Sequence, residues 1–468
     1  MKKAAKIIVI VLVIVVVLLV AGVFALNSYL QRPEFKNYVL AKTQEQLAVP
    51  LEVQSLKASL FSGFELRGLV VKNPQGSQTP SLLSSEELVF RYRLWPLLRK
   101  KVEIETVSVE GVNVVLEKAE DGTWNYEKLT KEQPGAKPGE PKPAGGGTTG
   151  SAAQSAPSDL KFEIANLKLA NANLLFLKPG GKKLVEVADL DVHSNVAGGG
   201  RSVAGKGALT IQRAAVIESI EARDVRSPVV VEQQQLKLTD VTGKVEDGTL
   251  KGTVVVDLQK EGYPYTVHAE VADVDLAKIG ARFTDKAKYL SGKLHLKADV
   301  AGVGGDTDKL QGKGSAHVTN GTLAGIPLLQ TIGTLLRISG FDRVQFDEIA
   351  LEYTMDQGVI ETPVIKLISK DVQITGNGKT DFDFNLNHQL TLALSPAIMN
   401  SVPKEVANVL AKREDGFRTL AFNVTGPYDA PKTNIPEQLA KGAAGSLIEK
   451  GLQELLGGEK KEKKKKNQ

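Results

Sequence analysis

Polar and apolar residues alternate along much of this chain, most plainly in DFDFNLNHQLTLAL at residues 381–394. Successive side chains of a β-strand point to opposite faces. Phe382, Phe384, Leu386, Leu390, Leu392 and Leu394 therefore share one face with His388, and Asp381, Asp383, Asn385, Asn387, Gln389 and Thr391 take the other. The pattern predicts a half-buried antiparallel strand of about 45 Å, well beyond the usual length.

The same two-faced design recurs. In 88–94 the residues Leu88, Phe90, Tyr92 and Leu94 oppose Arg91 and Arg93, and in 293–300 Leu294, Leu296, Ala298 and Val300 oppose Lys293, His295, Lys297 and Asp299. Further strands are predicted at 51–53, 64–71, 102–116, 162–169, 173–177, 184–196, 208–211, 232–238, 249–258 and 265–271. Within 102–116 the apolar parity switches near Thr106, as a bulge requires. Asp247-Gly248, Asn320-Gly321 and Gln357-Gly358 read as hairpin turns. Helical spacing predicts short helices at 33–47, from Pro327, over 395–412 and after Asn434, which is placed to cap it.

Residues 7–26, IIVIVLVIVVVLLVAGVFAL, carry no charge over a length that crosses a bilayer as a helix. Lys2, Lys3 and Lys6 precede it, so the positive-inside rule puts the N-terminus in the cytoplasm and the bulk outside. The competing reading is a cleaved signal peptide ending near Val23-Phe24-Ala25, against which the length of the run counts. Residues 134–158 are dense in Pro, Gly and Ser and read as a flexible linker. At the C-terminal end Leu447, Ile448, Leu452 and Leu455 form an apolar stripe, followed by Lys460, Lys461, Lys463, Lys464, Lys465 and Lys466. A helix lying on an anionic membrane surface has this composition, and so does a docked helix with a solvated tail.

Charge sharpens the picture. The net charge is +5, but the two lysine-rich ends supply more than that and leave the body slightly acidic. No nucleic-acid partner is expected of such a body. The chain has no cysteine, which excludes disulfides and thiol chemistry. His193, His268, His295, His317 and His388 show no metal-ligand spacing, and Gly378-Lys379-Thr380 lacks the upstream glycine of a phosphate loop. No nucleophile elbow appears, so neither a cofactor nor catalysis is expected.

Leu94-Trp95-Pro96-Leu97-Leu98, the strand residues 102–114 and Asp121-Gly122-Thr123-Trp124-Asn125-Tyr126 resemble, in that order, the N-terminal region of the AsmA-like family of bacterial envelope proteins. Residues 312–378 are similar to the C-terminal region of the same family: a strand, an NGxL turn at Asn320–Leu323, an apolar helix, then strands closing on a GxG. The likeness continues to the VxGxxxxP turn that starts at Val424 and ends at Pro431.

The resemblance implies an inner-membrane-anchored periplasmic protein akin to bridge-like lipid-transfer proteins, associated with phospholipid movement and outer-membrane homeostasis. The expected fold is mainly β, a long antiparallel sheet curled into an elongated open groove, with an N-terminal transmembrane helix and a few short helices. Its expected divisions are 1–30 (cytoplasmic tip and anchor), 31–132 (N-terminal β region), 133–158 (linker), 159–310 (middle groove region), 311–432 (C-terminal β region) and 433–468 (amphipathic helix and tail).

Expected partners are phospholipid, the inner membrane through 7–26, and an outer-membrane or envelope protein. The groove candidates are Phe382, Phe384, Leu386, Leu390, Leu392, Leu394, Leu294, Leu296, Phe90 and Tyr92. The alternative is a scaffold that assists outer-membrane protein assembly without moving lipid.

Overall fold

The computed structural model describes residues 27–97, 101–129, 161–199, 202–216, 220–283, 291–304 and 309–442. Among them are 21 strands, paired mostly antiparallel, and a few short helices. None of the described helices is long and apolar enough to cross a membrane. The expected span at 7–26 and the stripe and lysines from Leu447 to Lys466 lie outside the described residues. The chain divides into two compact units, residues 1–243 with 253–263, and residues 244–252 with 264–468.

The first unit begins with the helix Pro33–Gln46, started by Pro33 in its first turn. Strands β1 (Leu51–Ser59), β2 (Gly63–Lys72) and β3 (Ser81–Arg93) follow as an antiparallel meander. Then come β4 (Lys101–Glu110), β5 (Asn113–Glu117), β6 (Lys161–Leu177), β7 (Lys183–Gly199), β8 (Ser202–Val216) and β9 (Ile220–Glu232). Both β4 and β5 pair with β3 on one side and with β6 on the other. They act as one long strand interrupted at Gly111-Val112. The parity switch expected near Thr106 is present as a register shift between the pairs Arg91–Thr106 and Tyr92–Ile104.

One pairing departs from the expected antiparallel order: β4 and β5 run parallel to β6, Lys101 opposite Lys161 and Glu117 opposite Leu177. Parallel neighbours need a crossover that carries the chain back along the strand. The Pro, Gly and Ser-rich stretch 134–158 lies outside the described residues, between strands that stand side by side in one unit.

Next along the chain come β10 (Gln235–Val245) and β11 (Gly248–Asp257). In the second unit β12 (Pro264–Asp275), β13 (Ser291–Val303), β14 (Gln311–Ala324), β15 (Arg343–Asp356), β16 (Val359–Ile368), β17 (Val372–Asp381), β18 (Asn385–Leu394) and, after the short β19 (Ala411–Lys412), β20 (Arg418–Pro427) form an antiparallel series in which β18 pairs directly with β20. The two-residue strands Ala411–Lys412 and Lys432–Thr433 flank β20. The helices Pro327–Leu336 and Ile435–Gly442 pack into the core of this unit, where Ile332, Leu336, Leu392, Leu394 and Ile435 have no exposed surface.

Four expectations are corrected here. Residues 381–394 do not form one strand: β17 ends at Asp381, and 382–384 make a tight turn before β18. The Asp381 carboxylate accepts hydrogen bonds from the backbone N–H of Asp383 and Asn385 and from the Asn385 amide, which closes the turn. Asn320-Gly321 sits inside β14, not at a hairpin. Residues 395–412 hold two helical turns, Pro396–Met399 and Lys404–Ala407, and the two-residue strand Ala411–Lys412 in place of one helix. Asn434 accepts from the Asn423 N–H, so its side chain joins the last helix to β20.

The crossover makes a length prediction. Leu129 is hydrogen-bonded to Ala48, near the level of Leu174 in β6, so the chain must cover on the order of 40 Å to reach Lys161. Deleting 133–158 leaves 130–132 and 159–160, which reach about 20 Å at full extension. That variant should lose folded unit 1 by limited proteolysis, whereas a Gly/Ser replacement of equal length should retain it.

Candidate functional site

Register assembles the apolar positions into rows that cross the sheet. In the first unit Phe64, Phe90, Val107 and Leu167 lie abreast on β2, β3, β4 and β6. The next row is Leu66, Leu88, Val109, Leu169, Val192 and Leu209. Nearly all of these side chains are partly exposed. Phe90 and Tyr92 are brought together with Phe64, ring centroids 6.0 to 6.5 Å apart. Phe64 was not foreseen as their partner, because its place opposite Phe90 is a matter of register.

In the second unit one row is Leu294, Val318, Ile349, Leu367, Ile374, Leu392 and Leu420. Its neighbour is Val271, Leu296, Ala316, Leu351, Ile365, Gly376, Leu390 and Phe422. Burial is graded along them. Leu390, Leu392, Leu394, Leu420 and Phe422 are 0 to 6% exposed, closed in by the helices. Leu296, Ala316, Leu351 and Ile365 are partly exposed.

The ten predicted groove residues therefore separate. Leu390, Leu392 and Leu394 are core, with the helices Pro327–Leu336 and Ile435–Gly442 packed into the same cluster. Leu386 and Leu294 stand at the edge of that core. Phe382 and Phe384 leave the strand in the turn. Phe384, in the left-handed region at φ 63° and 48% exposed, meets Tyr428 edge-on. Leu296, Phe90 and Tyr92 remain on partly exposed apolar faces.

Two tyrosines that sequence reasoning passed over shape the floor of the second unit. A Cβ on Gly314 would lie 2.5 Å from the Tyr353 hydroxyl, and one on Gly302 would lie 2.5 Å from that of Tyr265. Each ring thus lies down over a glycine of the adjoining strand, keeping the face low. Burial pushes both phenols above the usual tyrosine range.

His388, half-buried between Leu386 and Leu390, contacts the Thr380 hydroxyl at 2.9 Å, and burial holds its imidazole below the ordinary histidine value. The opposite face carries ion pairs, Lys297 with Glu270 at 3.0 Å and Lys366 with Glu348 at 2.9 Å, and a polar contact of His268 with Asp299 at 2.6 Å. These exposed pairs add little stability but keep that side wet. No cluster able to hold a metal occurs among the described residues.

A line of residues with positive φ keeps the apolar side chains on one face. Gly68, Gly111, Asn171, Asp189 and Asp224 have φ from 52° to 63°. They lie at matching levels of β2, the β4/β5 junction, β6, β7 and β9, which the flanking register pairs fix. Across each one the parity of the apolar positions reverses: Leu167 and Leu169 become Leu174 and Phe176, and Val185 and Val187 become Leu190 and Val192. A left-handed residue within a strand turns the chain so that the reversed parity faces the same way. Asp273 and Asn320 do the same in the second unit, at φ 61° and 51°.

The model of the AsmA family matches residues 1–210 and again 202–365. The chain belongs to the AsmA family. No curated protein and no solved structure matches it. In this AsmA-family chain the turn Asp121-Gly122-Thr123-Trp124-Asn125 has a structural task. Asn125, 5% exposed, accepts from the Glu117 N–H and donates to the Val115 carbonyl and the Asn73 side chain. Trp124 lies edge-on to Phe176.

The positive-φ line yields a stability test. Asp189→Val puts a β-branched residue where the left-handed conformation costs it about 1–2 kcal/mol, whereas Asp189→Gly removes that cost. Chemical denaturation should find the valine variant less stable by about that amount and the glycine variant close to the parent.

Proposed function

We propose that this chain shields phospholipid acyl chains from water along its apolar sheet faces, as an inner-membrane-anchored periplasmic protein that guides them towards the outer membrane. AsmA family membership supports an envelope role. The observation that carries the reading is the partly exposed row Leu296, Ala316, Leu351 and Ile365, on a face whose reverse is charged.

Moving a two-chain lipid through water exposes on the order of 30 methylenes at ~0.8 kcal/mol each, roughly 24 kcal/mol in all. A continuous apolar strip removes most of that cost without a specific headgroup site. A sheet curled into an open groove, supported at its far end by an outer-membrane or envelope protein, accounts for both features. The mechanism is passive burial, with no catalytic residue and no cofactor.

A non-transporting scaffold for outer-membrane protein assembly is the second reading, favoured by the closed packing at Leu390, Leu392 and Leu394. A photo-crosslinking amino acid at Leu296 distinguishes the two in cells, with the fully buried Leu392 as the control position. The lipid-carrying reading predicts phospholipid adducts at 296 and none at 392. Crosslinks at 296 only to this chain's own residues or to other proteins would favour the scaffold.

A further inference from the structure

Several large apolar side chains of the first unit stand in water at the end of the sheet where the chain emerges from residue 26. Trp95 is 81% exposed, Phe61 50%, Tyr29 46% and Phe64 38%. Phe61 tips the β1–β2 turn, and Trp95 follows the last residue of β3 by two positions. Because Phe64 pairs with Phe90, the start of β2 and the end of β3 share one end of the sheet. Strands are about 4.8 Å apart, so β1 and β3 lie about 10 Å from one another.

That end is fixed to the emerging chain. The Asn27 side chain accepts a hydrogen bond from the Leu60 N–H at 3.0 Å, and the Tyr92 hydroxyl donates to the Leu60 carbonyl at 3.0 Å. Leu60 is thereby held between Asn27 and the third strand. Asn27 immediately follows the uncharged run 7–26. If that run spans a bilayer, the backbone at Leu60 is held at its surface, and the aromatic side chains beside it stand at headgroup depth.

We infer that Phe61, Trp95 and Tyr29 form an interfacial ledge that seats this end of the first sheet on the bilayer entered by residues 7–26. Tryptophan and tyrosine favour the membrane–water interface because one part of the ring is apolar and the other hydrogen-bonds. The interfacial zone is several ångströms deep on each side of the hydrocarbon, enough to accept such rings. The row Phe64, Phe90, Val107 then begins at the lipid surface, which gives acyl chains an entry to the apolar face. The inference rests on the membrane-anchored reading, and it adds the residues that make the contact.

The chain has two tryptophans, so Trp124→Phe leaves Trp95 as the only one. The full chain carrying that substitution is reconstituted into phosphatidylethanolamine–phosphatidylglycerol vesicles containing lipids nitroxide-labelled near the headgroup or near the acyl terminus. The expected result is a blue-shifted Trp95 emission, quenched several-fold more by the shallow label than by the deep one and protected from aqueous iodide.

Protein that fails to float with the vesicles after an alkaline wash would overturn the anchor and the ledge together. Protein that floats while Trp95 stays open to iodide and unquenched by either label would overturn the ledge alone. The same blue shift on concentrating the protein in detergent, without vesicles, would assign the patch to a second copy and likewise overturn it.

Discussion

Everything in this fold follows from the alternation of a β-strand. Each strand sends its apolar side chains one way and its charged ones the other, and antiparallel pairing carries that division from strand to strand. A sheet so built must close its apolar face, bind something on it, or aggregate. The second unit closes part of it: helices cover both rows at the end that holds Leu390, Leu392, Leu420 and Phe422, while the end through Leu296 and Leu351 stays partly open.

Long strands strain that rule, because one irregularity reverses every later side chain. Here the irregularities are aligned. Gly68, Gly111, Asn171, Asp189 and Asp224 form a transverse line, so β2, the β4/β5 junction, β6, β7 and β9 switch parity at one level. Asparagine and aspartate suit this task because their short polar side chains tolerate the left-handed region. Two of the line's backbone N–H groups are satisfied by side chains: Asn171 N–H by Asp191, and Asp189 N–H by Asn173. A line of left-handed residues of this kind preserves a continuous surface, which a passive lipid path requires and a closed core does not.

Much of the strand content was legible in the sequence because period-two alternation is a local property. The bulge at Thr106 and the helix Pro327–Leu336 were equally legible, the first as a parity switch and the second as helical spacing after a proline. Three features were not. The parallel pairing of β4 and β5 with β6 depends on where the chain returns after its crossover, and no local pattern encodes that. Residues 382–384 continue the alternation of a strand yet fold as a turn, because Asp381 can satisfy three donors of the following residues; the flanking Asp381 and Asn385 were the available signal. The exposure of Leu392 against that of Leu296 depends on which end of the rows the helices cover, and the two residues look alike in sequence.

The central claim is that the partly exposed rows hold lipid in the working protein. Its most direct measurement is the phospholipid content of the full chain, extracted from membranes in mild detergent, purified and analysed by mass spectrometry, beside a Leu296→Glu/Leu351→Glu variant. The account predicts bound phospholipid in the parent that is several-fold depleted in the variant, while the melting temperature changes little. Equal lipid content in both proteins, or none in either, would contradict it.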